Sequence, residues 1–543
     1  MTKLTMPSYS SISLANTKVK FTLFTFSFAL ALVLYWPGMN GSPIWDDMTY
    51  WFYDPVMNPT FPYSEIWKTF TWPLSVTAQK FFYSLGGKNW WVYHSLNFLL
   101  HSFNSWLVYR FLLQLRMRRS FAFIGFVLFL IHPASVITVA WMIQFKTLIC
   151  FSLAMGAILL FMKARGKKEY ILSTFLFLLS VLSKSSSLPL PVVLIFLLGQ
   201  KWKTKKILTV IPYFLISAFG AYQITHSKLA VEAIENAAVT TEKGATTVET
   251  SVVTESIPEP VATIETKKGF TAESILADPD FLDQQFTPPP DEPMVKTEVE
   301  FAPEGVEYKE QTEHKSIVEP TESLEELSPS VAYGRLIVKT LYYYFWQSFL
   351  PVDNSPVKGL NPYPPQFQDY LHLLFLVILG FICWATFMFP ILLSAHVFLL
   401  PYLGLIPAPY MNVTWVSDQH LYLVLPCFIL LLLGLIDKVK HRAAVVPLVL
   451  LCVFFAYKTR ETSRFYENNL TFHEKSINHN INNIPLIYNL AMAYVGADQQ
   501  VKAIDLLETA INAAKTNPHM QDNRFYPFLI NLYTRLTIPA VIE

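Results

Sequence analysis

The chain has 543 residues, of which 52% are hydrophobic, 15% aromatic and only 15% charged, with a formal net charge of +1. The charged share lies well below the roughly 25% usual in soluble domains, and no basic tail offers a surface for nucleic acid. The hydrophobic residues gather in runs of about 15–20, the length a helix needs to cross a bilayer, so the sequence predicts an all-α polytopic membrane protein.

In chain order the expected spans are 20–36, 93–113, 120–133, 147–163, 169–183, 187–199, 206–224, 369–386, 388–406, 420–436 and 443–457, about eleven in all. The first run lacks a small-residue cleavage site and is read as an anchor rather than a signal peptide. The short runs at 120–133 and 187–199 call for tilt or a thin bilayer region. Orientation follows from short basic loops, which stay cytoplasmic. Lys18 and Lys20, "RMRR" at 116–119, "KARGKK" at 163–168, "KWKTKK" at 201–206 and "DKVKHR" at 437–442 all fall on one side when these spans alternate. The N-terminus is then cytoplasmic and the C-terminal tail extracytoplasmic.

The chain divides into four parts. Residues 1–225 form an N-terminal membrane half with a first outer loop at 37–92. Residues 226–332 are rich in Thr, Glu, Pro and Val and poor in aromatics. Such a segment buries too little apolar surface to offset its ordering entropy, and is expected to be a disordered, acidic extracytoplasmic insert. Residues 333–457 form the second membrane half, opening with "YGRLIVKTLYYYFWQSFLP" (333–351), read as an interfacial helix because aromatics collect at the bilayer surface. Residues 458–543 form a soluble tail. Within it Leu490, Ala491, Tyr494, Ala503, Ile504, Leu507 and Ala510 recur at helical spacing over 487–514, a layout like one tetratricopeptide (TPR) hairpin of about 34 residues. One repeat cannot bury its own faces, so "RFYENNLTFHEKSINHN" and "RFYPFLINLYTRL" are expected to flank it, or another chain to cover it.

The polar residues near the membrane carry the candidate chemistry. Asp46 and Asp47 stand side by side in "PIWDDMTYWFYDP", just after the first span. On the second span His94, Asn97, His101 and Asn104 share one helix face. They either hydrogen-bond between helices or contact substrate. His132-Pro133 closes the third span, and 134–145 are expected to form a short interfacial piece leading to Lys146. Lys146 and Lys184 are outer-face lysines; they either snorkel to headgroups or bind the phosphate of a lipid-linked donor. Asp418 and His420 precede a later span, where they cap a loop or position a sugar or phosphate. Cys150, Cys383, Cys427 and Cys452 lie in or at the edges of apolar runs without CxxC spacing and are read as packing residues. Two adjacent carboxylates are too few ligands for a divalent cation, so no metal or other cofactor is expected.

The order of these motifs carries a resemblance: the acid pair after the first span, "YHSLNFLLHSFNSWLVY", "HPASVITVAW", "LSKSSSLPLPVVLI", "DQHLYLVLP" and a TPR-like tail. Together they resemble the GT-C membrane glycosyltransferases, most of all the transmembrane-and-TPR O-mannosyltransferase-like group and its bacterial relatives. The likeness covers about 20–225 and 340–515 and leaves out the insert. It implies transfer of a sugar from a polyprenyl-phosphate donor, a lipid-linked substrate, to a hydroxyl of a protein or envelope glycan. Asp46 or Asp47 is then the base, with inversion at the sugar carbon. His132, Lys146, Lys184, Asp418 and His420 would line the donor or substrate site. Trp72 stands where such proteins carry Arg, Ile137 where an acid follows His-Pro, Phe145 where Arg precedes the lysine, and Asp418-Gln419-His420 where Asp-Arg-Tyr is usual. Those lost charges suit an alternative, a catalytically degenerate scaffold recruiting envelope proteins through its insert and tail. A transporter predicts repeat symmetry and paired charges near mid-bilayer, and the sequence has neither. The expected setting is a bacterial inner membrane, with membrane lipid around the spans and a protein partner on the tail.

Overall fold

The computed structural model describes residues 17–164, 166–198, 208–226, 329–352, 354–358, 367–386, 388–405, 411, 414–439, 445–477, 483–516, 520 and 525–537. Helices dominate throughout, and among these residues there is no strand, only an isolated bridge between Lys358 and Val416. The expected all-α architecture is therefore observed. The insert expected at 226–332 lies outside the described residues except at its ends, where helices run to His226 and begin at Pro329.

Among the described residues, three helices are long and apolar enough to cross a membrane: Phe21–Met39, Met142–Lys163 and Leu208–His226. A fourth span results if Arg119–Leu130 and Pro133–Ala140, bent by 50°, count together. Ser185–Leu198, Tyr370–Ala385 and Phe389–Tyr402 are apolar but shorter. The second expected span is a full helix, yet its polar face keeps it from standing out by hydropathy. That helix, α4 (Trp90–Gln114), begins where the Asn89 side chain accepts the Trp91 N–H at 3.2 Å, a cap for an otherwise orphaned donor.

Five α-helices among the described residues precede or follow it in the first half of the chain up to Ala140. In α1 (Thr17–Met39), Gly38 donates its N–H to Ser463 Oγ at 3.0 Å, and Ser463 Oγ donates to Tyr35 O at 3.0 Å. A Cβ on Gly38 would stand 2.7 Å from that of Ala140, so this position needs glycine for close approach. Between α1 and α4 run two short helices, α2 (Tyr63–Thr69) and α3 (Pro73–Gly86). After α4 comes α5 (Arg119–Leu130), and His132 then turns the chain through Pro133–Ser135 into the short α6 (Val136–Ala140). The segment expected as a short interfacial piece at 134–145 is packed inside the protein: Ala134, Val136, Ile137, Val139, Ala140 and Met142 are buried. Small and β-branched side chains there let the backbone nest against α1 and α4.

The first half closes with α7 (Phe145–Lys163), α8 (Lys167–Ser183), α9 (Leu190–Leu198) and α10 (Leu208–His226). Serines stitch the α7–α8 hairpin: Ser173 Oγ donates to Ala157 O at 2.6 Å and Ser180 Oγ to Cys150 O at 2.9 Å. The second half holds α11 (Pro329–Phe349), α12 (Phe367–Ala385), α13 (Phe389–Leu399), α14 (Leu425–Val439) and α15 (Val445–Ser463). The helix expected at 333–351 is thus present as α11, packing Phe345 and Phe349 on Phe428.

The tail comprises α16 (Asn469–Ile477), α17 (Ile484–Gly496), α18 (Gln500–Thr516) and α19 (Tyr526–Thr537). Its core is separate from that of the bundle: Ile487, Ala491, Ala503, Leu507, Ala510 and Leu529 pack together. The helix pair read from periodicity is present, with α16 and α19 as its neighbours. Cys150, Cys383 and Cys427 are buried and Cys452 half-buried, all four as free thiols in packing positions.

Candidate functional site

The site is built where the loop after α1 meets the first turn of α7. A Cβ on Gly41 would stand 2.5 Å from Tyr466 O, so only glycine lets the loop pass. Ser42 N–H then donates to Glu467 O at 2.9 Å, and the chain turns sharply at Trp45, whose φ is +50°. That sharp turn gives the two carboxylates different surroundings.

Asp47 is fully buried. Its Oδ1 accepts the Ile143 N–H at 2.9 Å and its Oδ2 accepts the Ile44 N–H at 3.2 Å. These bonds tie the loop to the turn before α7. Burial first, and the charge of Asp46 second, push its pKa well above the ordinary carboxylate value. Both of its oxygens are thus committed to backbone N–H groups.

Asp46 is only half-buried. Burial raises its pKa to about 6, while the charge of Lys146 pulls it back. The Trp141 indole faces this carboxylate without reaching hydrogen-bond geometry. Lys146, also half-buried, holds its Nζ 5.5 Å from the centre of the Trp72 ring. The tryptophan that replaces an expected arginine therefore receives a cation on its face.

Lys184 follows α8 and points its Nζ at Thr147 Oγ1 (2.7 Å) and Gln144 Oε1 (3.4 Å). Thr147 Oγ1 in turn donates to Gln144 Oε1 at 2.7 Å. Burial, followed by the charge of Lys146, lowers the Lys184 pKa to about 7. Thr71, Trp72 and Ser185 line a narrow crevice of about 10 Å³ with residues of α8 and α10, Gly220 and Gln223 among them. Asp46, Lys146, Lys184 and Trp72 are thus brought together by four different segments.

Asp418 and His420 belong to an adjoining cluster. Asp418 pairs with Lys358 at 3.5 Å and accepts from Gln347 Nε2 at 2.9 Å and from the Tyr343 hydroxyl. His420 bonds through Nδ1 to the Tyr344 hydroxyl at 3.0 Å and stacks on Tyr402 with ring centres 3.8 Å apart. Tyr402 donates to Ser186 Oγ at 2.5 Å, two residues from Lys184. The turn Ser185–Ser187 therefore borders both clusters.

His132 is placed elsewhere, buried, with both ring nitrogens used. Nδ1 accepts the Ala134 N–H at 3.1 Å and Nε2 donates to Ser348 O at 3.1 Å. It caps the turn after α5 and holds α11.

The polar face of α4 points into the protein. Asn97 Nδ2 reaches the carbonyls of Val139, Trp141 and Met142 at 3.2–3.4 Å. His101 lies 2.7 Å from the Tyr422 hydroxyl, and Asn104 Nδ2 donates to Leu148 O at 3.1 Å. His94 lies against the backbone of Gly41 and Ala140. Asn97, His101 and Asn104 bond to neighbouring segments, whereas both ring nitrogens of His94 are buried without a hydrogen-bond partner among the described residues. Through Asn97 this face also fixes the turn that presents Trp141 and the Ile143 N–H to the acid pair.

Gln144, Thr147, Tyr343, Gln347 and Lys358 escaped the sequence reading; their neighbours come from distant segments. Among the described residues no group of three or more His, Cys, Asp and Glu is placed to share a cation. No protein-family model matches the sequence, and no curated protein matches it.

Proposed function

We propose that this chain is a membrane glycosyltransferase of the GT-C type. It moves a sugar from a polyprenyl-phosphate donor to a hydroxyl of a protein or envelope glycan. The observation that carries the reading is the different fate of the two acids. Asp47 is buried and bonded to backbone, while Asp46 is half-buried with its Oδ1 unpartnered among the described residues and its pKa raised to about 6, inside the field of Lys146.

An acceptor hydroxyl is a poor nucleophile near neutral pH. In the proposed reaction Asp46 takes its proton as the oxygen attacks the sugar carbon. The bond from that carbon to the lipid phosphate oxygen breaks, and the electron pair leaves with the phosphate. Lys146, held over Trp72, stabilises that growing negative charge. One displacement inverts the sugar carbon. Lys184, buried on Thr147 and Gln144, acts on the site through its position behind Lys146 rather than by direct contact. Asp418 and His420 form the far wall. In this reading the chain spans a bacterial inner membrane about eleven times, with the N-terminus cytoplasmic. A TPR-like tail presents the protein acceptor on the other side.

The committed ammonium of Lys184 and the absence of arginine among the described residues of the site favour a second reading, a degenerate scaffold that recruits envelope proteins. A deletion strain separates the two. Catalysis predicts that an envelope protein or polymer loses a sugar, restored by the wild-type chain and not by D46N. A scaffold predicts full restoration by D46N.

A further inference from the structure

The acid loop is held from outside the membrane bundle, by the first helix of the tail. Three side chains of α16 reach it. Asn469 Oδ1 accepts the Trp45 N–H at 2.9 Å. The His473 ring stacks on the Trp45 indole, with centres 5.1 Å apart and planes 10° from parallel. Phe472 lies edge-on to Trp45 at 5.6 Å and also meets Trp141 at 6.1 Å. Trp45 precedes Asp46 in the chain and Trp141 faces its carboxylate, so α16 touches both walls of the candidate base.

The backbone explains why such holding is needed. Trp45 has φ +50°, a left-handed conformation that a bulky side chain rarely adopts. A residue in that region persists only where its surroundings over-determine it. Here the surroundings are Asn469 and His473. Burial keeps the His473 ring neutral, its pKa lowered to about 4, and its Nδ1 is fixed on Asn469 O at 2.7 Å. The hydroxyl of Tyr494, on α17, bonds to Glu474 Oε1 at 3.2 Å, which continues the connection into the tail hairpin.

We propose that Asn469 and His473 are positioning residues for Asp46: by holding Trp45 in its left-handed turn they set where the carboxylate points, so the tail governs the geometry of the acid loop. This rests on the reading of Asp46 as the base. It makes the tail part of the active-site architecture as well as an acceptor platform.

The test uses the full chain in detergent micelles with a polyprenyl-phosphate sugar. Two readouts are taken: transfer kinetics, and hydrogen exchange of the peptide covering 42–50. N469L removes the acceptor at similar volume, and N469D keeps it. H473A removes the stack, and H473F keeps a ring. N469L and H473A are expected to speed exchange over 42–50 about tenfold or more. They should lower kcat on the order of tenfold to a hundredfold, the cost of a misplaced catalytic group, with donor KM unchanged. Exchange in α17 and α18 should stay as in the wild type, and N469D and H473F should remain near it in both readouts. Should N469L fail to insert, H473A against H473F makes the same comparison. Unchanged loop exchange, or wild-type kcat with a loosened loop, overturns the proposal. If the wild type transfers no sugar, the assignment of Asp46 falls, and loop exchange alone decides whether α16 holds the turn.

Discussion

Replacing Asp47 by alanine separates the acid bonded to backbone from the one proposed to react. The substitution strands two buried donors, the N–H groups of Ile143 and Ile44, which now bond to Oδ1 and Oδ2 at 2.9 and 3.2 Å. Each stranded buried donor costs about 1–3 kcal/mol, so D47A should lose roughly 2–6 kcal/mol of stability. D46A strands no such pair and should lose under about 1 kcal/mol. The pH dependence has a definite sign. Folding raises the Asp47 pKa above its ordinary 3.8, so its contribution is fully present below that value and is lost as pH rises through the folded pKa. The gap between wild type and D47A should therefore be widest near pH 4 and narrow toward neutrality. Unfolding in mixed micelles with rising SDS fraction, followed by tryptophan fluorescence, measures it. Equal losses for D46A and D47A, or a gap that widens with pH, would refute this division of roles.

Other outcomes follow from the same geometry. The base must be ionised to accept a proton, and burial sets the Asp46 pKa to about 6. Transfer should accordingly rise with pH through about 6 and level off above, in kcat/KM profiles that report the free enzyme. Stability should run the other way over that interval, because a raised carboxylate pKa favours the folded state at lower pH. G41A would place a Cβ 2.5 Å from the Tyr466 carbonyl oxygen. Relieving that overlap means moving backbone, at a cost of about 1–3 kcal/mol, and hydrogen exchange over residues 42–50 should quicken.

The helical class and the tail hairpin were legible in the sequence because both rest on periodicity. Apolar runs mark helices, and Leu490, Ala491, Ala503, Leu507 and Ala510 mark one buried stripe, all five now in the interior. The acid pair was legible as a pair but not as two roles. What separates Asp46 from Asp47 is one left-handed residue and the carboxylate's turn toward Ile143, neither of which leaves a trace in residue type. The burial of segment 134–145 was not legible because its apolar composition suits an interface as well as an interior. Its burial depends on Gly38 and Asn97, contributed from other helices. The α16 clamp was least legible, since Asn469 and His473 lie more than 400 residues from Trp45 and read locally as a polar tail helix. His132, Asn97, His101 and Asn104 looked equally functional in sequence, yet they spend hydrogen bonds on backbone and neighbouring helices.

The central claim is that Asp46 is the reacting carboxylate. The purified full chain, given a polyprenyl-phosphate sugar and a peptide or glycan acceptor, should release polyprenyl phosphate and form a glycoside of inverted configuration. D46N should insert and unfold like the wild type yet form no product. Transfer by D46N at the wild-type rate would contradict the account.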